Sequence, residues 1–461
     1  MTRQRHLNIF LTLTLFFGVP LVFLTPPFQV PDEPAHFLRA YQISQGEFVA
    51  PARGGLCGGE LPSSLGNIFG PFEHLLFKPK EKTNLKTIVS QLDVPLDADK
   101  TQFFKFANVA YSPIPYLPQS LAIAAGRALR LSPLRLMYLG RLANLLAFCL
   151  FGGIALLMAP CLRRPLMLLM MMPMMLFLAA SLSADVMTDA IALLWGALMI
   201  RAAAEKTQEP LHPSMLAAIT AVGIGLVLAK SVYYPLIALA FLIPAARFGG
   251  RKARALFLTL LMLISLAADL LWLAQTSKMD VQFISSANPH AQIAYMLHHP
   301  LAVAVIAVRT LAREWRYLPM SFVGSRLGWL DARTNVPFVL AYGALMLASL
   351  WPSREEPQGP AMGPVAGVVL ASGAGVLAGL LLLTYLFWDP VGYRWMYGLT
   401  GRYFIPLAPG FIMLLGWGGR RVISPRLWNP LSPGWKDAIV AAAGLASGLA
   451  TLLTVYLRYY A

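Results

Sequence analysis

Within the stretch PPFQVPDEPAHFLRAY, residues 26–41, Asp32 and Glu33 are adjacent and His36 follows four residues after Asp32. Residues four apart share one face of a helix. Two carboxylates with an imidazole one turn on can accept a proton or bind a divalent cation. A plainer reading makes Asp32 an N-cap, with Glu33 and Pro34 in the first turn. A second acidic pair stands in SLSADVMTDAIALLW, where Asp185 and Asp189 are again four apart. Capping and loop solvation are the plainer reading there, chiefly for Asp189 at the entry to the next apolar run.

Cations form the third element. Arg141 opens an apolar run, and Lys230 closes another in AKSVYYP, three residues before Tyr233. Arg313, Arg316, Arg326 and Arg333 lie between two later runs. Arg394 and Arg402 lie in WDPVGYRWMYGLTGRYFIP. Trp315, Tyr317, Trp329, Tyr393, Trp395, Tyr397 and Tyr403 are interleaved with them. An interfacial aromatic belt with snorkelling arginines explains some of this pattern. The functional reading is a site for a phosphate or pyrophosphate headgroup, because guanidinium forks match phosphoryl oxygens. His74, His298 and His299 have no ligand spacing to an acid or cysteine. No G-x-S-x-G, Walker or dinucleotide fingerprint is present.

These groups must be positioned by a membrane-spanning frame. The 461 residues are 57% hydrophobic and only 13% charged, and the mean hydropathy is +0.62. A soluble chain carries about a quarter charged residues. The apolar surplus falls in long blocks without alternating strand segments, which predicts an all-α polytopic membrane protein rather than a barrel. Eleven spans are expected, at roughly 7–25, 136–160, 165–181, 187–204, 213–230, 232–248, 254–274, 335–352, 364–386, 404–419 and 437–456. The first is long enough to span and lacks small residues for cleavage before Pro26, so it reads as an uncleaved helix rather than a signal peptide. Cys57, Cys149 and Cys161 show no metal or redox spacing.

The net charge of +16 would suggest nucleic acid in a soluble protein. Here the basic residues cluster in short loops, as the positive-inside rule expects, and no nucleic-acid partner is implied. Proline-rich 113–131 and arginine-bearing 301–320 are expected to lie along the outer surface as amphipathic helices. Arg163–Arg164, Arg201 with Lys206, the 247–254 cluster, and Arg420, Arg421 and Arg426 then all fall in the cytoplasm. The N-terminus is inside and the C-terminus outside. Residues 26–135 and 275–334 become external segments that pack on a single membrane domain covering 1–461. Asp32, Glu33, His36, Asp185 and the second group of cations share the external face. Asp269, in SLAADLLW, is the main charge placed within a span and could face the same cavity.

The block PPFQVPDEPAHFLRAYQISQG after an apolar first helix resembles a bacterial multi-spanning family, domain of unknown function 2142. SLSADVMTDA, FVGSRLGWLD and GRYFIPLAP resemble its other recurring stretches. That family is similar to the GT-C glycosyltransferases, which take a sugar from a polyprenyl-phosphate carrier. The resemblance implies a GT-C-like bundle with juxtamembrane helices, in the bacterial inner membrane. It implies an inverting transfer to a glycan, lipid or protein acceptor on the extracytoplasmic face. Asp32 falls at the place of the family's essential acid, Glu33 and His36 would shape the site, and Asp185 resembles a second acid. Donor contacts are expected from Arg141, Lys230, Tyr233, Arg326, Trp329, Arg394, Arg402 and Tyr403. A magnesium or manganese ion between Asp32 and Asp185 is an option. A transporter or flippase of lipid-linked saccharides is the competing class, since it too would need ionisable groups, though nearer the bilayer midplane. A non-catalytic envelope-assembly protein is the third.

Overall fold

Proline sets where many of the helices begin. Ser132, Ser432 and Asn288 each precede a proline at the first helical position, and each accepts a hydrogen bond from a backbone N–H one turn on. A side-chain cap followed by proline, which has no N–H to leave unpaired, is a strong helix start. The computed structural model describes residues 2–53, 56–204, 209–277, 286–350, 359–422 and 432–461.

Helix α1 (Thr2–Leu24) ends in a tight turn and α2 (Glu33–Ser44) follows. The first long segment continues with β1 (Ala52–Arg53), β2 (Leu56–Pro62), the short helices α3 (Ser64–Asn67), α4 (Gly70–Glu73) and α5 (Leu85–Ser90), then β3 (Thr101–Lys105) and α6 (Leu117–Ala128). Next come α7 (Pro133–Met158), α8 (Arg163–Met171), α9 (Pro173–Ala179), α10 (Asp185–Ala204), α11 (Pro213–Ala229), a 3-10 segment (Ser231–Leu242) and α12 (Arg251–Thr276). Helices α13 (Pro289–His298) and α14 (Pro300–Glu314) meet at a bend of 105°. The chain closes with α15 (Tyr317–Val323), β4 (Arg326–Leu327), β5 (Ala332–Arg333), α16 (Val336–Ser349), α17 (Met362–Trp388), a 3-10 turn (Gly401–Leu407), α18 (Ala408–Val422) and α19 (Pro433–Tyr459).

Six of these helices, α1, α7, α10, α12, α17 and α19, are long and apolar enough to cross a membrane, or seven with the bent pair α13–α14. The other five segments expected to span fall on shorter or broken helices. Helix α11 has 17 residues and α16 has 14. Prolines at 173, 235 and 406 stand in the remaining three, where each removes a backbone donor. The chain is predominantly helical, with two small antiparallel sheets that the expectation of an all-α protein did not include. The glycine-rich stretch forms β2, paired with β3. A Cβ at Gly58 would collide with the Phe104 carbonyl oxygen, so the strand needs glycine for this close approach.

Helix α10 runs through the centre, and nearly all of its length is buried. Around its N-terminal end the polar architecture hangs on Arg141 of α7, which is fully buried. Its Nε and Nη2 donate to the two oxygens of Glu33, at 2.8 and 2.6 Å. Its remaining N–H groups reach the carbonyls of Val22, Thr25 and Pro26 at 2.7–3.2 Å. These carbonyls close the C-terminal end of α1, where helical partners run out. Glu33 also accepts from the Leu182 N–H at 3.1 Å. One turn along α7, Asn144 donates to the Ser181 carbonyl at 2.9 Å. Thus α7 fixes the end of α1, the start of α2 and the loop before α10.

At the other end of α1, His6 and Arg164 both meet Asp437 Oδ1, at 2.9 and 2.7 Å. That cluster joins the beginnings of α1, α8 and α19. The far end of α19 is closed by Lys82, which donates to the Leu457 and Arg458 carbonyls, and by Arg458, bonded to Asp331.

Removing one member of a fully buried pair leaves an uncompensated charge, at a cost of about 3–5 kcal/mol. Glu33→Ala or Arg141→Ala should therefore lower the melting temperature in detergent sharply. The Glu33→Leu/Arg141→Met double variant should melt above either single one. Single variants that melt with the wild type would show that the pair does not organise the fold.

Candidate active site

Asp32 begins α2 with the sequence of a cap and does not act as one. Its backbone is left-handed, with φ 63° and ψ 7°, and its side chain makes no capping hydrogen bond. Phe28, four residues earlier, is also left-handed, at φ 65°. Non-glycine residues adopt this region at a cost and persist there only when their surroundings hold them. Here Glu33 is clamped by Arg141, Trp329 Nε1 donates to the Phe28 carbonyl at 3.0 Å, and Tyr459 Oη donates to the Gln29 carbonyl at 3.3 Å. The turn directs the Asp32 carboxylate toward Arg402 Nη2, 3.5 Å away, and leaves the side chain 36% exposed.

Asp185 arrives from the opposite side, as the first residue of α10. Its Oδ1 lies 3.1 Å from Lys230 Nζ and its Oδ2 lies 3.4 Å from Arg402 Nε. Lys230 occupies an extended break between α11 and the 3-10 segment. Its ammonium group sits 4.6 Å from the Tyr403 ring centroid and 5.7 Å from that of Tyr111. Arg402 follows Gly401, whose N–H is held by Ser321 Oγ at 2.9 Å. Burial works against the charge of Arg402, yet Tyr403, Asp185 and Asp32 outweigh it and hold its pKa above the ordinary value. The two arginines differ in saturation. Arg141 makes five hydrogen bonds of 2.6–3.2 Å. Arg402 makes contacts of 3.3–3.5 Å, and its Nε forms no aligned hydrogen bond.

A cavity of about 610 Å³ begins at Lys230 and Tyr403 and runs between α11, α12 and α17. Tyr111, Ser231, His290 and Thr384 also line it, and Trp272, Leu273, Leu380 and Phe387 make much of its apolar wall. Burial pushes the Tyr111 phenol up to about 12, so it is a neutral donor there. Sequence reading gave no sign of Tyr111 or of this wall, because the cavity exists only where three distant helices meet.

The other expected site residues separate in position. Arg141 has no donor left for a phosphate, so its place is structural, and Glu33 is sealed with it rather than open to substrate. His36 is buried, with Nδ1 2.9 Å from Tyr116 Oη and 3.0 Å from Asn108 Nδ2. Burial lowers its pKa to about 4 against the pull of Asp32 and Asp185. It is a neutral imidazole that supports the turn. Tyr233 is buried and donates to the Tyr403 carbonyl at 2.9 Å, propping Tyr403. Trp329 holds the Phe28 carbonyl. Arg326 is exposed beside Tyr317 at 5.5 Å, and Arg394 is exposed on the 389–400 segment. Asp189, read as a cap or solvated group, is buried inside α10 with Oδ2 unpartnered. Asp269 accepts from Ser231 Oγ at 2.6 Å, behind the cavity wall.

The residues do not fit a resident divalent cation. Asp32 and Asp185 both face the Arg402 guanidinium, and Lys230 takes the other Asp185 oxygen. No group of three or more metal-ligating side chains comes together among the described residues.

The long apolar helices define a polytopic helical membrane protein, with this paired-charge pocket at helix ends. The chain belongs to the DUF2142 family, described as a predicted membrane protein, whose sequence profile matches residues 15–411. Comparison with curated proteins and with solved structures returned no match.

Two outcomes follow. Asparagine and glycine tolerate φ near 60°, so Asp32→Asn and Asp32→Gly should melt no lower than the wild type. At a genuine cap asparagine serves as well as aspartate and glycine costs a few tenths of a kcal/mol, so a melting temperature lowered in Asp32→Gly but not in Asp32→Asn would restore the capping role. His36 binds its proton less readily when folded than unfolded. Its contribution to stability is therefore complete above pH 6.5 and is lost as pH falls toward 4. The melting temperature of His36→Gln should fall less over that window than the wild type's, and parallel curves would refute the assignment.

Proposed function

We propose that the protein is an inverting glycosyltransferase that moves a sugar from a polyprenyl-phosphate donor to a cell-envelope acceptor. The observation that carries this reading is the meeting of Asp32 and Asp185 on Arg402 and Lys230, with Lys230 also lining a largely apolar cavity. A lipid-linked sugar phosphate has the complementary chemistry: an apolar tail for the wall and an anionic group for two cations. Asp32, partly exposed, is the group able to meet an acceptor hydroxyl.

In the proposed reaction the acceptor oxygen attacks the anomeric carbon from the face opposite the phosphate. Its proton passes to Asp32. The bond from the anomeric carbon to the phosphate oxygen breaks, and the electron pair leaves with the polyprenyl phosphate. Arg402 and Lys230 stabilise the charge that develops there, which is where fixed cations help most. Asp185 orients both. Tyr403, propped by Tyr233, closes the pocket beside them. Glu33 and His36 hold the turn that aims Asp32.

The proposed setting is the bacterial inner membrane, with the site on its extracytoplasmic face. An eleven-crossing path with the N-terminus inside is compatible with the shared face of the ends of α1, α11 and α19 and the start of α10. It leaves the His6–Asp437–Arg164 cluster and the basic loop residues Arg251 and Lys252 on the cytoplasmic face.

A positioned base is worth about 10²–10⁴-fold in rate. Asp32→Asn should lower sugar transfer from a polyprenyl-phosphate donor by that factor in proteoliposomes, while binding of the donor persists. Lys230→Gln should weaken donor binding. Undiminished transfer by Asp32→Asn would overturn the mechanism. Movement of intact donor across the bilayer without sugar release would instead establish the flippase.

A further inference from the structure

The bent pair α13–α14 carries an apolar ladder that no other element covers. Leu301 is 82% exposed, and Val305 and Val308 continue the ladder along α14; Leu297, across the bend on α13, is 75% exposed. Val305, Arg309 and Ala312 then follow at spacings of four and three on one face of α14, and Arg316 stands in the turn just past its end. Arg309 is exposed and makes no ion pair among the described residues. Arg316 is exposed and lies 4.9 Å from the ring centroid of Trp315, itself 62% exposed. The acid on the same helix, Glu314, is held by Arg313 at 3.4 Å. The helix dipole accounts for a cation in the last turn, such as Arg313. It does not account for Arg309, which stands more than a turn before the end of α14.

An apolar ladder that gives way to tryptophan and unpaired arginine marks the passage from hydrocarbon to headgroup level. Polar rims for soluble ligands lack such a ladder, so this surface favours a lipid over a free anion. We propose that Arg309, Arg316 and Trp315 form a docking site for the headgroups of anionic phospholipids, and that an occupied site steadies the segment presenting Arg402. The connection is direct. Thr310 Oγ1, on α14, accepts from the Met396 N–H at 3.1 Å. Ser321 Oγ, on α15, accepts from the Gly401 N–H at 2.9 Å. Arg313 stacks on Trp395 at 5.0 Å. Helices α14 and α15 thus grip both ends of residues 396–401. This inference stands whatever reaction the pocket performs.

The test uses the full chain in nanodiscs of phosphatidylcholine alone or with phosphatidylglycerol. Phosphatidylglycerol should raise the melting temperature and slow hydrogen exchange of the 396–401 amides. In Arg309→Gln/Arg316→Gln both effects should fall by at least half, with the melting temperature in phosphatidylcholine unchanged. If the double variant melts lower in phosphatidylcholine, the single variants decide, each against its own phosphatidylcholine value. Each should lose part of the shift, and a full shift in both overturns the site. Identical behaviour of the wild type in the two lipids overturns it as well. So does a soluble sulfated polysaccharide that reproduces the effect in phosphatidylcholine discs, which would make the surface a saccharide site. A raised melting temperature without slower exchange at 396–401 would refute the coupling to Arg402.

Discussion

The arrangement depends on one buried guanidinium. Arg141 closes the end of α1, holds Glu33 at the start of α2, and through Glu33 reaches the backbone before α10. A charge in such surroundings is tolerable only if nearly every donor finds an acceptor, and here all five do. The consequence falls on its neighbour in sequence. With Glu33 fixed inward, Asp32 sits at the outer edge of the same turn in a left-handed conformation that sends its carboxylate to Arg402. The acidic dipeptide therefore divides its labour. One carboxylate builds the frame and the other is left partly exposed beside Arg402.

The contrast between Arg141 and Arg402 extends this logic. Both are buried and both face carboxylates. One is saturated at short distances. The other holds two acids loosely and keeps an unaligned N–H beside a cavity whose head is Lys230. Incomplete satisfaction of buried polar groups costs stability, and such sites cluster where function requires it. The pocket is thus a set of charges that balance one another, Asp32 and Asp185 against Arg402 and Lys230.

Much of this was legible in the sequence. The two acidic stretches and the GRYFIP arginine stood out because charges are rare in so apolar a chain, and they do converge. The six long helices were readable from uninterrupted apolar length. What escaped reading was conformational or tertiary. Asp-Glu-Pro has the grammar of a helix cap, and only the sign of φ at Asp32 reverses it. Arg141 looked like a free cation, because nothing local reveals three backbone carbonyls waiting at the end of a distant helix. Prolines 173, 235 and 406 sit within apolar runs of spanning length, and composition alone does not show where the backbone breaks. Strand β2 was equally hidden, because its pairing depends on Gly58 approaching Phe104, a contact far away in sequence.

The central claim is that the Arg402–Lys230 pair is the anion seat of a site whose tail compartment is the adjoining cavity. The most direct measurement is an experimental map of the protein in nanodiscs with a polyprenyl monophosphate added. The account predicts phosphate density bridging Arg402 and Lys230, with the chain along Leu273, Leu380 and Phe387. Density for the phosphate away from both cations, or a chain lying outside that cavity, would contradict it.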